Sequence, residues 1–268
     1  MTRFICQTCG TQFPDGKQPP TECMTCSEER QYIGWMGRKW TTISRMTRKY
    51  RNEISKVEQD LYSIVTRPEF AIGQRAFLIK TKNGNILWDC LSFLDRETIA
   101  RVNELGGISF IAISHPHYYS SMVQWSETFG DAPIYIHELD KKWVAFRSKN
   151  VKFWRDITIS PMPGITLINL GGHFDGGTVL HWKHGAKEKG VLLSGDIIAV
   201  AMDRRWTSFM YSYPNMIPLS RTKIEQIAAR ISQFKFERLY SAFEGKEIMG
   251  DALQAVMRST ERYVRHIS

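Results

Sequence analysis

Apolar and polar residues change places along this chain in short blocks, and the period of each block predicts an element. RAFLIKTKNGNILWDC sets two apolar runs on either side of Asn83-Gly84, a dipeptide that tolerates positive φ and so favours a hairpin turn. Just upstream, LYSIVTRPEF opens the main body of the chain. DRETIARVNEL predicts a helix, with Asp95 near its start and Gly106-Gly107 past its end. ISFIAIS follows as a buried strand, SSMVQWSETFG as a helix opening on a serine cap, and APIYIH as the next strand. Strands that alternate with helices predict βαβ units whose sheet is covered by helices. From Asp156 onward the texture becomes sheet again, through DITISP, GITLINLGG, GTVLHWKHG and GVLLSGDIIAV. Two helices close the chain, LSRTKIEQIAARISQF and KEIMGDALQAVMRSTERYVRHI, with the strand ERLYSAF between them. The expected class is α/β (α+β), layered helix-sheet-sheet-helix.

Composition narrows this picture. A chain of 268 residues, 43% hydrophobic, buries a full-sized core, so one large domain with a small appendage is expected. No apolar run approaches the roughly 18 residues a membrane span needs. The opening MTRFICQTCG lacks the build of a secretory signal, and a soluble, cytoplasmic protein with no membrane partner is the expectation. The net charge of +9 is unevenly spread. GRKWTTISRMTRKYRNEISK carries Arg38, Lys39, Arg45, Arg48, Lys49, Arg51 and Lys56 against Glu53 alone. This segment reads as partly helical. It is either a solvated face or a patch for an anionic partner such as nucleic acid or phosphate.

Four of the five cysteines fall in the first 26 residues, as Cys6-x-x-Cys9 and Cys23-x-x-Cys26, separated by thirteen turn-rich residues. Two such knuckles bring four thiolates to one ion and close a tetrahedral site with no open position, which is a structural metal site. The pattern resembles zinc ribbons and, more loosely, rubredoxins, since Gly10 follows the first pair. The second knuckle, MTCS, lacks the proline and glycine of a rubredoxin, so structural zinc is expected over redox iron. The ribbon is either a folding staple for a segment without its own core or a docking module. Cys90, which follows the apolar run in ILWDC, is expected in the core.

In AISHPHYYSSM, His115 and His117 stand at i and i+2 just past a buried strand. In extended backbone such neighbours share a side and can reach one ion. His173 lies in the turn after LINLGG, and Asp196 follows the strand that ends in Ser-Gly. Three imidazoles and a carboxylate suit zinc or iron and leave a place for water. The order Asp89, SHPH, GGH, SGD and AFEG resembles the metallo-β-lactamase superfamily over roughly residues 60–268. The resemblance implies an αββα metallo-β-lactamase sandwich with its metal site at the sheet edges. It also implies His115, His117 and His173 as ligands, with Asp196 as a shared ligand. The family's first motif is usually H-x-H-x-D-H, and its last two positions are Tyr119 and Ser120 here. Glu244 in SAFEG stands where a further histidine is usual. One ion is therefore expected, with Glu244 either a ligand of a weaker second ion or a surface carboxylate. Asp196 is a candidate to orient water or take its proton. Tyr119 is an oxyanion donor, an unusual ligand or a packed aromatic. His137, His181, His184 and His266 match no family position and are expected to be structural or exposed.

The domains implied are a zinc ribbon over 1–35, a basic connecting segment over 36–60 and a metallo-β-lactamase-like domain over 61–268. The function implied is a metal-dependent hydrolase with structural Zn in the ribbon and Zn or Fe at the active site. Metal-activated hydroxide would attack an ester, thioester, lactam-like or phosphoester substrate, a small and by charge anionic molecule. The alternative is a binding or scaffold protein that contacts nucleic acid or a protein partner through the ribbon and basic segment. A third reading passes electrons from the ribbon to iron in the sandwich. No sequence feature sets the oligomeric state.

Overall fold

A computed structural model describes residues 1–267; Ser268, the last residue of the expected main domain, lies outside the described residues. The chain divides into two compact units, residues 1–136 with 141–153, and residues 137–140 with 154 onward. The four-cysteine segment falls in the first of these units.

The first unit begins with β1 (Thr2–Cys6), β2 (Gln12–Gly16) and β3 (Trp40–Thr41), a small sheet ordered β2-β1-β3. Its anchor is Ile5, which packs with Met46, Phe70 and Phe93 and so ties the ribbon into the unit's core. The basic segment expected to be partly helical contains only one helical turn, α1 (Ile43–Met46), capped by Thr42. Besides β3 it contains β4 (Arg51–Glu58), paired antiparallel with β5 (Leu61–Arg67) from Arg51↔Arg67 to Glu58↔Leu61. The reason is a period of two: Asn52 and Ile54 are half-buried, while Arg51, Glu53 and Ser55 face out. β4 is also an edge strand, and outward charge keeps an edge from pairing with another chain.

The hairpin of β6 (Ala76–Ile79) and β7 (Ile86–Trp88) forms as expected, with Gly84 at φ +123° in the connecting turn. Then come α2 (Arg96–Glu104), β8 (Phe110–Ala112), α3 (Met122–Thr128), β9 (Ile134–His137) and β10 (Val151–Trp154). Asp95 caps α2 by accepting from Thr98 N at 2.8 Å. Ser121, expected to cap α3, does not; its hydroxyl donates instead to Ser92 O at 2.8 Å. The seven strands run β10-β9-β8-β7-β6-β5-β4, with β7, β8 and β9 parallel through the two βαβ crossovers.

The second unit holds β11 (Thr158–Met162), β12 (Ile165–Asn169), β13 (Thr178–Trp182), the single turn α4 (Gly185–Glu188) and β14 (Val191–Gly195). Two short ribbons follow, β15 (Ala199–Val200) with β16 (Thr207–Ser208) and β17 (Met210–Ser212) with β18 (Ile217–Pro218). The chain ends in α5 (Arg221–Ile231), β19 (Arg238–Ser241), β20 (Glu247–Ile248) and α6 (Ala252–Ile267). The last expected helix therefore starts late, because Glu247 and Ile248 pair with Tyr240 and Leu239. The six-stranded sheet runs β11-β12-β13-β14-β19-β20. Ile224, Ile227 and Ile231 of α5 and Ala252, Ala255 and Val256 of α6, spaced at helical intervals, bury against Ile168, Leu192 and Leu239 of that sheet. Each unit is thus a mixed sheet with helices, as the α/β reading requires. Among the described residues no helix is long and apolar enough to cross a membrane.

Candidate metal centre

The first pair of expected ligands is set by the parallel strands β7 and β8. Asp89 leaves β7 at φ +59° and donates its N–H to Ala112 O at 2.9 Å, extending the ladder by one step. Its buried carboxylate accepts from Ser114 N at 2.7 Å and from Ser114 Oγ at 2.8 Å. Ser114 Oγ also meets His115 Nδ1 at 2.9 Å. The hydroxyl has one proton and gives it to Asp89, so Nδ1 must be the donor to Ser114. His115 is thereby fixed with Nε2 as its ligand atom.

The extended backbone expected for the His-x-His pair ends at His115, with φ −168° and ψ 171°. Pro116–Tyr118 is a 3-10 turn, closed by Tyr118 N donating to His115 O at 3.1 Å, with proline at the position where a helical N–H goes unused. The turn, not an extended strand, brings the two rings edge to face, centroids 5.1 Å apart. Both histidines are buried, as are Tyr118, Tyr119 and Ser120.

In the second unit β12 ends and the chain turns through Gly171 and Gly172, at φ +68° and +87°. A side chain at Gly172 would stand 2.8 Å from Leu219 Cδ1, so this turn admits only glycine. It presents His173, whose Nδ1 lies 3.1 Å from Met210 O and 2.9 Å from Tyr211 O. Both partners only accept, so Nδ1 carries the proton and Nε2 again is the ligand atom. Asp196 follows β14, after Gly195 at φ +52°. Sequence reasoning missed Tyr213, which donates its Oη to Asp196 O at 2.9 Å and lies 5.5 Å from the His173 ring. Burial, reinforced by the Asp196 charge, pushes the Tyr213 phenol well above its ordinary value and keeps it a donor. No local pattern marks Tyr213, because its place depends on the β17 strand that brings it there.

One ligand atom from each of His115, His117, His173 and Asp196 lies within 4.8 Å of the others, and all four residues are buried. Ligands about 2.1 Å from one ion stand roughly 3.4 Å apart in a tetrahedron, so the set suits one borderline-soft ion after small movements. Glu244 is not in that group; it is exposed in the turn between β19 and β20. Tyr119 is buried and borders a narrow space shared with Thr11, Gln12 and Phe146.

A second group is formed by Cys6, Cys9, Cys23 and Cys26, all buried and also within 4.8 Å of one another. Cys6 Sγ and Cys26 Sγ are 3.6 Å apart, Cys9 Sγ and Cys23 Sγ 3.5 Å. Sulfurs bound to zinc at about 2.3 Å stand roughly 3.8 Å apart, so the cluster fits a closed four-sulfur site compatible with a zinc ribbon. Crowding divides the thiols: hydrogen bonding from Cys23 lowers Cys6, whereas the Cys23 contact raises Cys9. Cys90 is fully buried and burial pushes its thiol up, which suits the core role expected of it. Of the other histidines, His137 packs on Trp154 and His181 donates Nε2–H to Lys235 O at 2.8 Å, and burial lowers both. His184 and His266 are exposed.

Comparison with known proteins shows the family and the fold. The chain is 52% identical over 270 residues to the uncharacterized protein YmaE of Bacillus subtilis (strain 168), covering 100% of this chain and 98% of that one. Its fold is similar to the metallo-beta-lactamase FIM-1 from Pseudomonas aeruginosa in its mono-zinc form, with a TM-score of 0.56 at 12% identity, covering 80% of this chain and 96% of that one. A metallo-beta-lactamase from Pontibacter korlensis gives a TM-score of 0.56 at 14% identity, covering 81% and 100%. Residues 71–242 match the family model of the metallo-beta-lactamase superfamily. With most of its length matched and the histidine and aspartate group in place, the chain belongs to the metallo-β-lactamase superfamily and has its fold behind an N-terminal four-cysteine cluster.

Proposed function

We propose that this protein is a metal-dependent hydrolase with a single active-site ion held by His115, His117, His173 and Asp196. The observation that carries the reading is the buried grouping of those four within 4.8 Å. It is supported by the hydrogen bonds that commit Nδ1 of His115 and of His173 and leave Nε2 for a metal. When bound, zinc or iron supplies Lewis-acid polarisation of a carbonyl or phosphoryl oxygen and acidifies water to a pKa of about 7 in the best cases. Asp89 and Ser114 hold the His115 ring in one tautomer. Asp196, with the ion held chiefly by the three imidazoles and its own carboxylate not tightly bound, orients the attacking water or takes its proton, and Tyr119 is the candidate donor to the developing oxyanion. Tyr119 and Ser120 occupy the positions where the family motif puts a carboxylate and a histidine, which favours one ion, and FIM-1 offers a mono-zinc precedent for the fold. Glu244, exposed and outside the group, falls to the surface-carboxylate role.

The scissile bond is an ester, thioester, lactam-like bond or phosphoester, in a small molecule whose negative charge suits a chain of net charge +9. The four cysteines hold structural zinc. Thiols grouped for a metal, not paired in disulfides, suit a reducing compartment, which we take to be the cytoplasm. The test is elemental analysis beside a panel of chromogenic esters, thioesters, lactams and phosphodiesters. The wild-type chain should carry one ion for each group and hydrolyse at least one class, and the His115→Ala/His117→Ala variant should keep the ribbon ion and lose that hydrolysis. Unchanged turnover in the double variant would refute the assignment.

A further inference from the structure

The loop that carries His115 and His117 is held at its far end by the ribbon. Gln12, three residues past Cys9, donates its backbone N–H to Ser120 O at 2.9 Å. On the knuckle itself Gly10 O accepts from Ser92 Oγ at 2.8 Å, and Ser92 O accepts from Ser121 Oγ at 2.8 Å. Gln74 Nε2 donates both to Ser120 Oγ at 3.1 Å and to Cys90 O at 3.0 Å. Gly10 has φ +82°, and a side chain there would come within 2.3 Å of Ser92 Oγ, so the knuckle approaches as closely as bare backbone allows. Between knuckle and loop, a space of only about 10 Å³ remains, bordered by Thr11, Gln12, Tyr119 and Ser120. Farther along, Gln12 Nε2 donates to Gln124 Oε1 at 2.6 Å and Arg3 pairs with Glu127 at 2.6 Å.

Ser120 is the hinge of this contact. It is buried, has φ +43° and so sits in the left-handed region that a non-glycine residue enters only when its surroundings hold it there. Here the surroundings are the ribbon on its carbonyl and Gln74 on its hydroxyl. Where the family motif has a histidine, this chain has a residue that takes the ribbon's hydrogen bond.

We propose that the four-cysteine ribbon braces the histidine loop, so that the metal held by Cys6, Cys9, Cys23 and Cys26 sets the affinity with which His115 and His117 hold theirs. Gln12, Gln74 and Ser120 are the positioning residues. The inference rests on the ligand roles given to His115 and His117 above, but not on hydrolysis. A knuckle of turn-rich sequence takes its conformation from its ion. When the ion leaves, the Gln12 N–H and Gly10 O lose their aim, Ser120 is free to leave its left-handed conformation, and the turn bearing His117 loses its far support. Coupling of this kind changes affinity by about 5- to 150-fold.

Cobalt(II) titration of the full chain distinguishes the two centres by colour. Thiolate-to-cobalt charge-transfer bands in the near ultraviolet report the ribbon, and weaker visible ligand-field bands report the imidazole and carboxylate site. The Gln12→Pro variant removes both links that Gln12 makes to this region, its N–H to Ser120 and its side-chain amide to Gln124, and leaves every cysteine. It should retain the charge-transfer bands and bind cobalt at the histidine site about tenfold more weakly. The Cys23→Ser/Cys26→Ser variant should lose the charge-transfer bands and weaken the histidine site further; if it fails to fold, Gln12→Pro decides alone. A histidine-site affinity within twofold of wild type in Gln12→Pro, with the ribbon bands intact, overturns the coupling. A wild-type chain with no ligand-field bands overturns both the coupling and the metal site, whereas coupled cobalt binding without hydrolysis of any substrate leaves the coupling standing and removes only the hydrolase reading.

Discussion

At the ribbon, four identical donors come from residues 6 to 26, and each pair is presented by one tight turn with sulfurs 3.5 and 3.6 Å apart across the pairs. At the histidine centre the donors are of two kinds and come from residues 115 to 196, each from a loop that follows a strand. The ribbon has few apolar residues of its own beyond the Ile5 anchor, so an ion held by its four cysteines would set much of its shape. The histidine loops are shaped by the protein before any ion arrives: Asp89 and Ser114 orient His115, and two carbonyls orient His173. On the reading proposed above, one site would be folded by metal, and the other folds to receive it.

The largest expected effect breaks the ribbon. Structural zinc in small ribbons is worth about 10–16 kcal/mol of apparent binding free energy, which is folding free energy there. Cys6→Ser/Cys9→Ser should therefore give an insoluble chain, or one whose melting temperature falls by about 10 °C or more by calorimetry. His115→Ala/His117→Ala should melt within a few degrees of the wild-type protein stripped of its histidine-site ion, although it has lost that site. Equal damage from the two double variants would erase the distinction drawn here.

Next in size is the support behind His115. Ser114→Ala removes the acceptor that fixes the ring and leaves the Asp89 carboxylate one hydrogen bond short. Losing such an outer partner typically costs 10- to 100-fold in metal affinity. A chelator competition assay should show that loss at the histidine centre and an unchanged ribbon. If affinity stays within threefold of wild type, the His115 tautomer is held by something other than Ser114.

The same contrast explains what the sequence made legible. Two C-x-x-C pairs declare a closed site because all the geometry is local, and the His-x-His pair, His173 and Asp196 became a set only through their order along a recognisable family pattern. Shared extended backbone does not by itself pair His115 with His117; Pro116 starts a 3-10 turn that brings the two rings together. The basic stretch misled because its charges suggested a solvated helix, while the alternation of Asn52 and Ile54 with exposed neighbours put Arg51–Glu58 at a sheet edge. Ser121 resembles a cap in sequence but is drawn to Ser92 O, and Tyr213 and the Gln12–Ser120 contact join distant residues that no local spacing connects.

A smaller effect is expected at Tyr213. Tyr213→Phe removes one neutral hydrogen bond to the Asp196 carbonyl, worth about 1 kcal/mol net, and leaves the carboxylate in place. Histidine-site metal affinity should drop about fivefold, well short of the Ser114→Ala loss. A drop as large as that of Ser114→Ala would mean that Tyr213 acts on the metal centre more directly than through the Asp196 backbone.

The smallest effect separates the histidines of the centre from those of the fold. Burial lowers both His137 and His181 below the ordinary value of 6.5. Above that value both the folded and the unfolded chain hold these rings neutral, and neither ring makes stability depend on pH. As the pH falls below about 6.5, the unfolded chain takes up protons that the folded chain refuses, so stability declines until the lower folded values are passed. Protein freed of its histidine-site ion should therefore still melt lower at pH 5.5 than at pH 7.5. His181→Gln retains a donor for Lys235 O but has no ring to protonate, and should flatten that decline. An unaltered pH slope in the variant would show that acid sensitivity arises elsewhere, in His137 or in the metal centre itself.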